Sequence, residues 1–297
     1  MINFFAEIFG YVLNWIYILV KNYGLAIIIF SVLIKILMLP LSIKQQKTLK
    51  KNEKVQKEMK ILQIKHKGNP ERLNQEMIEL YKREKINPFG GCFSVIIQFI
   101  LLLAMFNLVR SPLTYMKQIE EPVITEQINE IKKEDEGRVI STAYPEMSII
   151  EYVQEKNMTD SEMYINMQFL GLDLSKVPQE NYKDIKVFII PILYVISSII
   201  SIKISTMQMN KTKKEDDETD SEKNKLIDEN GKRELDQEEM TQRMNKSMSL
   251  MMPILYVSVS LFAPLGLALY WLVNNIIMII ERLILNKIFS KEEKENA

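Results

Sequence analysis

The chain has 297 residues, 47% of them hydrophobic, and its 38 basic and 38 acidic residues give a formal net charge of zero. A single cysteine excludes an intramolecular disulfide framework, and one cysteine with one histidine excludes a Cys/His zinc cluster. Apolar residues fall in long blocks and charges in others, a membrane-protein pattern that the near-zero mean hydropathy conceals. The 18 methionines fit an adaptable apolar surface and lipid-facing filler equally well.

Residues 1–23 are apolar and aromatic, with Phe4, Phe5, Phe9, Tyr11, Trp15 and Tyr17. Glu7, Asn14 and Lys21 recur every seven residues and share one helical face. This predicts an interfacial helix with its rings at headgroup level. An extra span is the rival reading, against which the short Lys21–Gly24 connection counts. No basic start and no A-x-A site suggest a cleaved signal peptide.

Residues 24–43 are the first expected span. Leu25–Ile43 is apolar apart from Ser31, Lys35 and Ser42. At about 1.5 Å per residue it matches a hydrocarbon core of roughly 30 Å. Lys35 sits near its middle, where a lysine costs about 2.5–3.5 kcal/mol and therefore needs water, a partner or a purpose. Pro40 cannot donate to the Ile36 carbonyl, so a kink is expected near the end of the span. Lys44, Lys47, Lys50 and Lys51 mark that end as cytoplasmic.

Residues 44–86 read as a charged helical hairpin, with thirteen Lys/Arg against six Asp/Glu. That excess places the hairpin inside the cell and suits anionic partners as well as a solvated coiled coil. Leu49, Gln56, Met59 and Gln63 line one arm, and Leu73, Met77, Leu80 and Tyr81 form the seam of the other. In the turn, Gly68 ends one helix, Asn69 caps the next and Pro70 takes its first position. Residues 87–110, opening with Asn87-Pro-Phe-Gly-Gly-Cys92, are the second span and carry Ser94 and Gln98.

Residues 111–186 form an acidic external insert, with eight Lys/Arg against fifteen Asp/Glu. Ile124, Ile128 and Ile131 predict one amphipathic helix; Ile149, Ile150 and Val153 predict another. Phe169, Leu170, Leu172 and Leu174 are expected to rest on the membrane surface. Residues 187–209 are the third span. Residues 210–246 are charged and poor in apolar groups, which predicts a disordered cytoplasmic loop. Residues 247–263 and 264–285 are the fourth and fifth spans, and 286–297 are a cytoplasmic tail. The predicted fold is an all-α membrane protein with five transmembrane helices, a cytoplasmic hairpin and an N-terminal interfacial helix. Its N-terminus is outside and its C-terminus cytoplasmic.

Ser31 and Lys35 share a helix face, as do Ser94 and Gln98, and Tyr256 and Ser260. Tyr194, Ser197, Ser198, Ser201 and Ser205 form a stripe, and Trp271, Asn274 and Asn275 lie within one turn. Helix packing accounts for most of the serines. It does not account for Lys35, for which no Asp or Glu deep in a span is expected as partner. A hydrated groove lined by Ser31, Lys35, Gln98 and Trp271 would keep that lysine charged.

Gly24–Lys51, the Asn69-Pro70 turn, Asn87–Cys92 with Gln98 following, and Leu267-Ala-Leu-Tyr-Trp271-Leu-Val-Asn-Asn275 resemble the bacterial YidC/Oxa/Alb membrane protein insertases. The likeness is to the short Gram-positive type and covers about 24–110 and 187–285. It implies an insertase and chaperone of the bacterial plasma membrane, with a hydrophilic groove closed to the outside. Nascent membrane proteins would be the clients and the lipid bilayer the destination. The Sec translocon and the ribosome enter as further partners, although the short tail of mixed charge speaks against a ribosome contact there. No catalytic residue, cofactor, metal or small-molecule substrate is implied. Lys35 falls where the family most often has arginine, and Ser31, Gln98 and Trp271 fall on groove positions. The long insert has no counterpart in that likeness. An anion channel or transporter using Lys35 as its binding charge is the alternative. A membrane enzyme lacks a nucleophile–base or metal constellation.

Overall fold

A computed structural model describes residues 2–66, 69–84, 90–216 and 256–295. Side chains are described only in part over 49–64, and not at residues 70, 90–96, 98, 205–216 and 289–295. Among the described residues the architecture is helical, with one two-stranded hairpin.

Helix α1, Ile2–Val20, buries Ala6, Phe9, Gly10, Leu13, Ile16 and Tyr17, a stripe at helical spacing. Its other face exposes Phe4, Ile8, Tyr11, Trp15, Ile18 and Leu19. A two-residue turn follows, with Lys21 at φ 51°. Asn22 then caps α2 by accepting from the Leu25 N–H at 3.0 Å.

Helix α2, Tyr23–Lys65, is continuous for 43 residues. The first span and the first arm of the hairpin are therefore one helix, and Pro40 lies inside it. The helix ends on His66, with Lys67 and Gly68 outside the described residues. Asn69 caps α3, Pro70–Arg83, by accepting from Arg72 N–H at 3.1 Å. Val55 and Leu80 are buried where α2 and α3 meet, and Arg83 pairs with Glu58.

Helix α4, Gly90–Arg110, leads through Ser111 into the short helix α5, Pro112–Tyr115. The insert then folds as α6, Glu121–Glu134, and α7, Pro145–Glu155. Strands β1, Gln168–Phe169, and β2, Leu172–Asp173, pair antiparallel around Leu170 and Gly171, both at positive φ, as a tight hairpin turn requires. Leu172 and Leu174 are buried in the insert core. The expectation that they rest on the membrane fails, because the insert has enough apolar residues to build its own core. Of that group Leu170 is the freely exposed one, at 86%.

Helix α8, Ile189–Asp216, overruns the expected boundary at 209, so the start of the presumed loop is helical. Residues 217–255, comprising the rest of the loop and most of the fourth span, lie outside the described residues. Residues 256–262 form α9, and α10, Leu265–Glu295, carries the fifth span on through the expected tail.

Among the described residues four helical segments are long and apolar enough to cross a membrane: Ile2–Val20, Tyr23–Thr48, Ile185–Ile204 and Leu265–Ile288. On α4 the apolar stretch among the residues with described side chains is Phe99–Arg110. Among the described residues the first, third and fifth expected spans are thus of spanning length, and α1 is an additional segment of that length.

The core is strongly one-sided. Among the described side chains of α2 the buried residues stop at Ser31 and resume at Val55. The main cluster joins Tyr23–Phe30 of α2, Ala104–Val109 of α4 and Leu265–Leu272 of α10 to α1 and the insert. The insert caps that end of the bundle by backbone bonds to successive turns. Tyr23 N–H donates to Asn166 O, Leu265 N–H to Lys176 O, Gly266 N–H to Leu174 O and Gln179 N–H to Leu261 O, all at 2.9–3.0 Å. Close approach matters at Gly10, where a Cβ would stand 1.9 Å from the Tyr115 carbonyl oxygen.

Candidate functional site

The cap is bolted on by a buried acid. Glu146, at the start of α7, is 4% exposed. Its Oε2 accepts from Leu113 N–H at 2.6 Å and Thr114 N–H at 3.2 Å, and its Oε1 from Thr114 Oγ1 at 2.7 Å. A carboxylate thus occupies the N-terminus of α5, where free N–H groups favour negative charge. Burial still dominates and raises its pKa above the ordinary carboxylate value, against the pull of those donors.

Below the cap lies Lys35. Its Nζ stands 3.4 Å from Glu281 Oε2 of α10, with side-chain exposures of 23% and 12%. Helices α2 and α10 run in parallel, since Gly266 faces Tyr23 near their starts and Lys35 faces Glu281 further along. At 1.5 Å per residue, Lys35 lies about 18 Å and Glu281 about 24 Å from those starts. The expectation that Lys35 lacks an acidic partner within the spans is therefore wrong. Glu281 stands beside Arg282 and near Lys287, basic residues that mask it in the sequence. Counting residues from the two helix starts places Glu281 about one turn beyond Lys35, within reach of its long side chain.

The other predicted groove residues separate. Ser31 is fully buried and donates to its own helix, to Ile27 O at 2.8 Å. Gln98 lies on α4 with its side chain outside the described set. Trp271 is buried against the Tyr256 ring, centroids 5.0 Å apart, and its indole N–H has no partner among the described residues. It belongs to a polar seam between α8, α9 and α10. There Asn275 Nδ2 donates to Ser197 Oγ at 2.8 Å and to Ser198 Oγ at 3.3 Å, and Tyr194 packs on Tyr256. Among the described residues no hydrogen bond links Ser31, Lys35 and Trp271. No group of three or more His, Cys, Asp or Glu converges there either.

The fold and the placement of its polar groups define an all-α, multi-pass membrane protein with an ion pair deep in its bundle. The family model described as 60Kd inner membrane protein matches residues 15–293, and the chain belongs to that family. It is 38% identical over 109 residues to a membrane protein insertase YidC from Fusobacterium nucleatum subsp. nucleatum, an overlap covering 37% of this chain and 53% of the relative. It is 41% identical over 106 residues to the protein of that name from Caldanaerobacter subterraneus subsp. tengcongensis, covering 36% and 52%. With the Chlorobaculum tepidum protein of that name it shares 47% over 100 residues, 34% of this chain and 17% of the relative. The chain thus spans about half, or less, of the length of these relatives. Membership places it in the plasma membrane.

Proposed function

We propose that this protein is a membrane protein insertase that passes nascent membrane proteins from the cytoplasm into the bilayer. One observation carries the reading: among the described residues the bundle is sealed at one end and exposed at the other, with a charge in the exposed half. The insert's backbone bonds close the capped end. Beyond Ser31, α2 exposes Val32, Leu33, Ile36, Leu37 and Leu39, so its hairpin-side half meets lipid or water instead of a core. Lys35 is 23% exposed in that half. A client's polar segment would enter there, held by Lys35, while its apolar segment leaves sideways into lipid. The relatives' shared name supports the same activity.

In this reading the cap faces outward, and the hairpin and the end of α10 face the cytoplasm, as the basic excess of 44–86 requires. Helix α1 lies at the outer surface. Its contacts support that place: Asn166 N–H donates to Tyr17 Oη at 2.8 Å, and Lys117 sits 5.3 Å over the Tyr17 ring. Gln98 would border the client path on α4, and Trp271, whose indole N–H is buried and has no partner among the described residues, would back it from the α8–α9 side. Ser31, bonded within its own helix, packs beneath it.

The test is insertion by purified variants in liposomes, using one single-span client whose outer segment carries aspartates or the matching asparagines. Lys35→Arg should insert both clients. Lys35→Gln should fall several-fold for the acidic client, and Lys35→Glu further still through like-charge repulsion. Equal insertion by all four proteins would overturn the role of Lys35.

A further inference from the structure

Lys35 is not waiting empty. We infer that Glu281 is an internal stand-in for the client: it occupies Lys35 between insertion events and must be displaced by a client's acidic residue. The inference rests on the insertase reading and names what sets the groove's preference among clients.

The two residues come from different helices, 246 positions apart, and meet at 3.4 Å below the capped core. Two features distinguish this pair from a structural rivet. First, it lies outside the cluster that holds α2 to α10. That cluster uses Tyr23–Phe30 and Leu265–Leu272, whereas Ile36, Leu37, Ile276, Ile280 and Ile284 around the pair are exposed. Second, the contact is a single long Nζ–Oε2 approach with both ends partly open. Such a pair can exchange partners, since a lysine ammonium is a compact charge on a flexible stem that needs no fixed fork.

The exchange is balanced in charge. With Glu281 in place Lys35 has a counter-charge, and Glu281 also lies within electrostatic reach of its neighbour Arg282, so neither Lys35 nor Glu281 sits unpaired in a low-dielectric setting. A carboxylate on the client's outer segment replaces Glu281 at the ammonium, and Glu281 turns to groove water. A segment without acids gains nothing from Lys35 and leaves the pair closed. Glu281 is thus a positioning residue that raises the threshold for entry and favours segments with more than one acid.

Full-length Glu281→Gln, Lys35→Gln and the double variant would be compared with wild type in proteoliposomes, using the aspartate and asparagine clients above. Photocrosslinking from position 98 and thermal unfolding would be read alongside. Glu281→Gln should raise insertion and crosslinking of the aspartate client several-fold and leave the asparagine client unchanged. The gain should vanish in the double variant, which should match Lys35→Gln. A fall for both clients together with a lower melting temperature would make the pair structural and overturn the inference. So would an unchanged Glu281→Gln beside an impaired Lys35→Gln, with the role of Lys35 itself left standing. Wild-type insertion by Lys35→Gln would overturn both readings. Glu281→Asp provides a milder variant: its shorter side chain withdraws from Lys35 and should give an intermediate gain.

Discussion

The capped end and the hairpin end of this bundle are built on opposite principles. At the capped end, side chains from α1, α2, α4, α10 and the insert share one core, and backbone bonds tie their turns together. At the hairpin end the described helices expose apolar side chains around the Lys35–Glu281 pair, and the hairpin holds itself by Val55 and Leu80. Stability therefore resides at one end, and the proposed capacity to receive another chain resides at the other. A sealed core cannot admit a client, and an open half cannot supply the cohesion to hold five or six helices.

The strongest way to break this contrast is to remove the cap. Replacing 119–182 with a short linker should abolish assembly, seen as loss of the folded protein on size exclusion in detergent. It exposes Leu265, Gly266 and Tyr23 and strands their N–H groups. Next comes the opposite end: deleting 52–84 should bring insertion to background while the melting temperature stays near wild type, because Val55 and Leu80 lie outside the main cluster. A large fall in melting temperature would show that the hairpin stabilises the bundle too.

A sharper probe is Glu146→Ala. It orphans three donors at the start of α5 and should cost about 1–3 kcal/mol in thermal or denaturant unfolding. The same site predicts a pH dependence. Burial holds the folded pKa of Glu146 above its ordinary 4.5, so the folded state retains the proton more strongly. Its contribution is therefore complete below 4.5 and is lost as pH rises through the raised value. The wild-type melting temperature should fall over that window, and Glu146→Gln should flatten the slope. The smallest effect is expected from replacing 220–238 with a Gly/Ser linker. That stretch is charged and can bury little apolar surface, so insertion should be unchanged.

The contrast also marks how far the sequence could be read. Signals confined to one turn were legible: Asn69 before Pro70 caps α3, and the isoleucine spacings locate α6 and α7. The continuity of α2 through Pro40 was not, because proline weakens a helix locally while the flanking turns decide whether it persists. The cap could not be foreseen either. Its bonds, such as Leu265 N–H to Lys176 O, join backbone groups 89 residues apart and carry no side-chain signature. The candidate site was half legible: Lys35 announced itself by its depth, whereas Glu281 was hidden by its basic neighbours Arg282 and Lys287. Trp271 and Lys35 lie on helices that both line the bundle, yet Trp271 turns toward α8 and α9. Helical phase over ten residues, not proximity in a motif, decides which of them faces α2.

The unbroken α2 has a mechanical consequence. It is a beam clamped at Tyr23 by the cap and loaded at His66 by the hairpin, about 64 Å away at 1.5 Å per residue. By the same measure Lys35 sits about 18 Å from the clamp, so the hairpin's leverage over it is more than threefold. A tilt of about 10° about the clamp swings the hairpin tip by about 11 Å and shifts Lys35 by about 3 Å. That shift is comparable to the 3.4 Å separating it from Glu281. A displacement at the hairpin is thereby geared down to the scale of one ion pair.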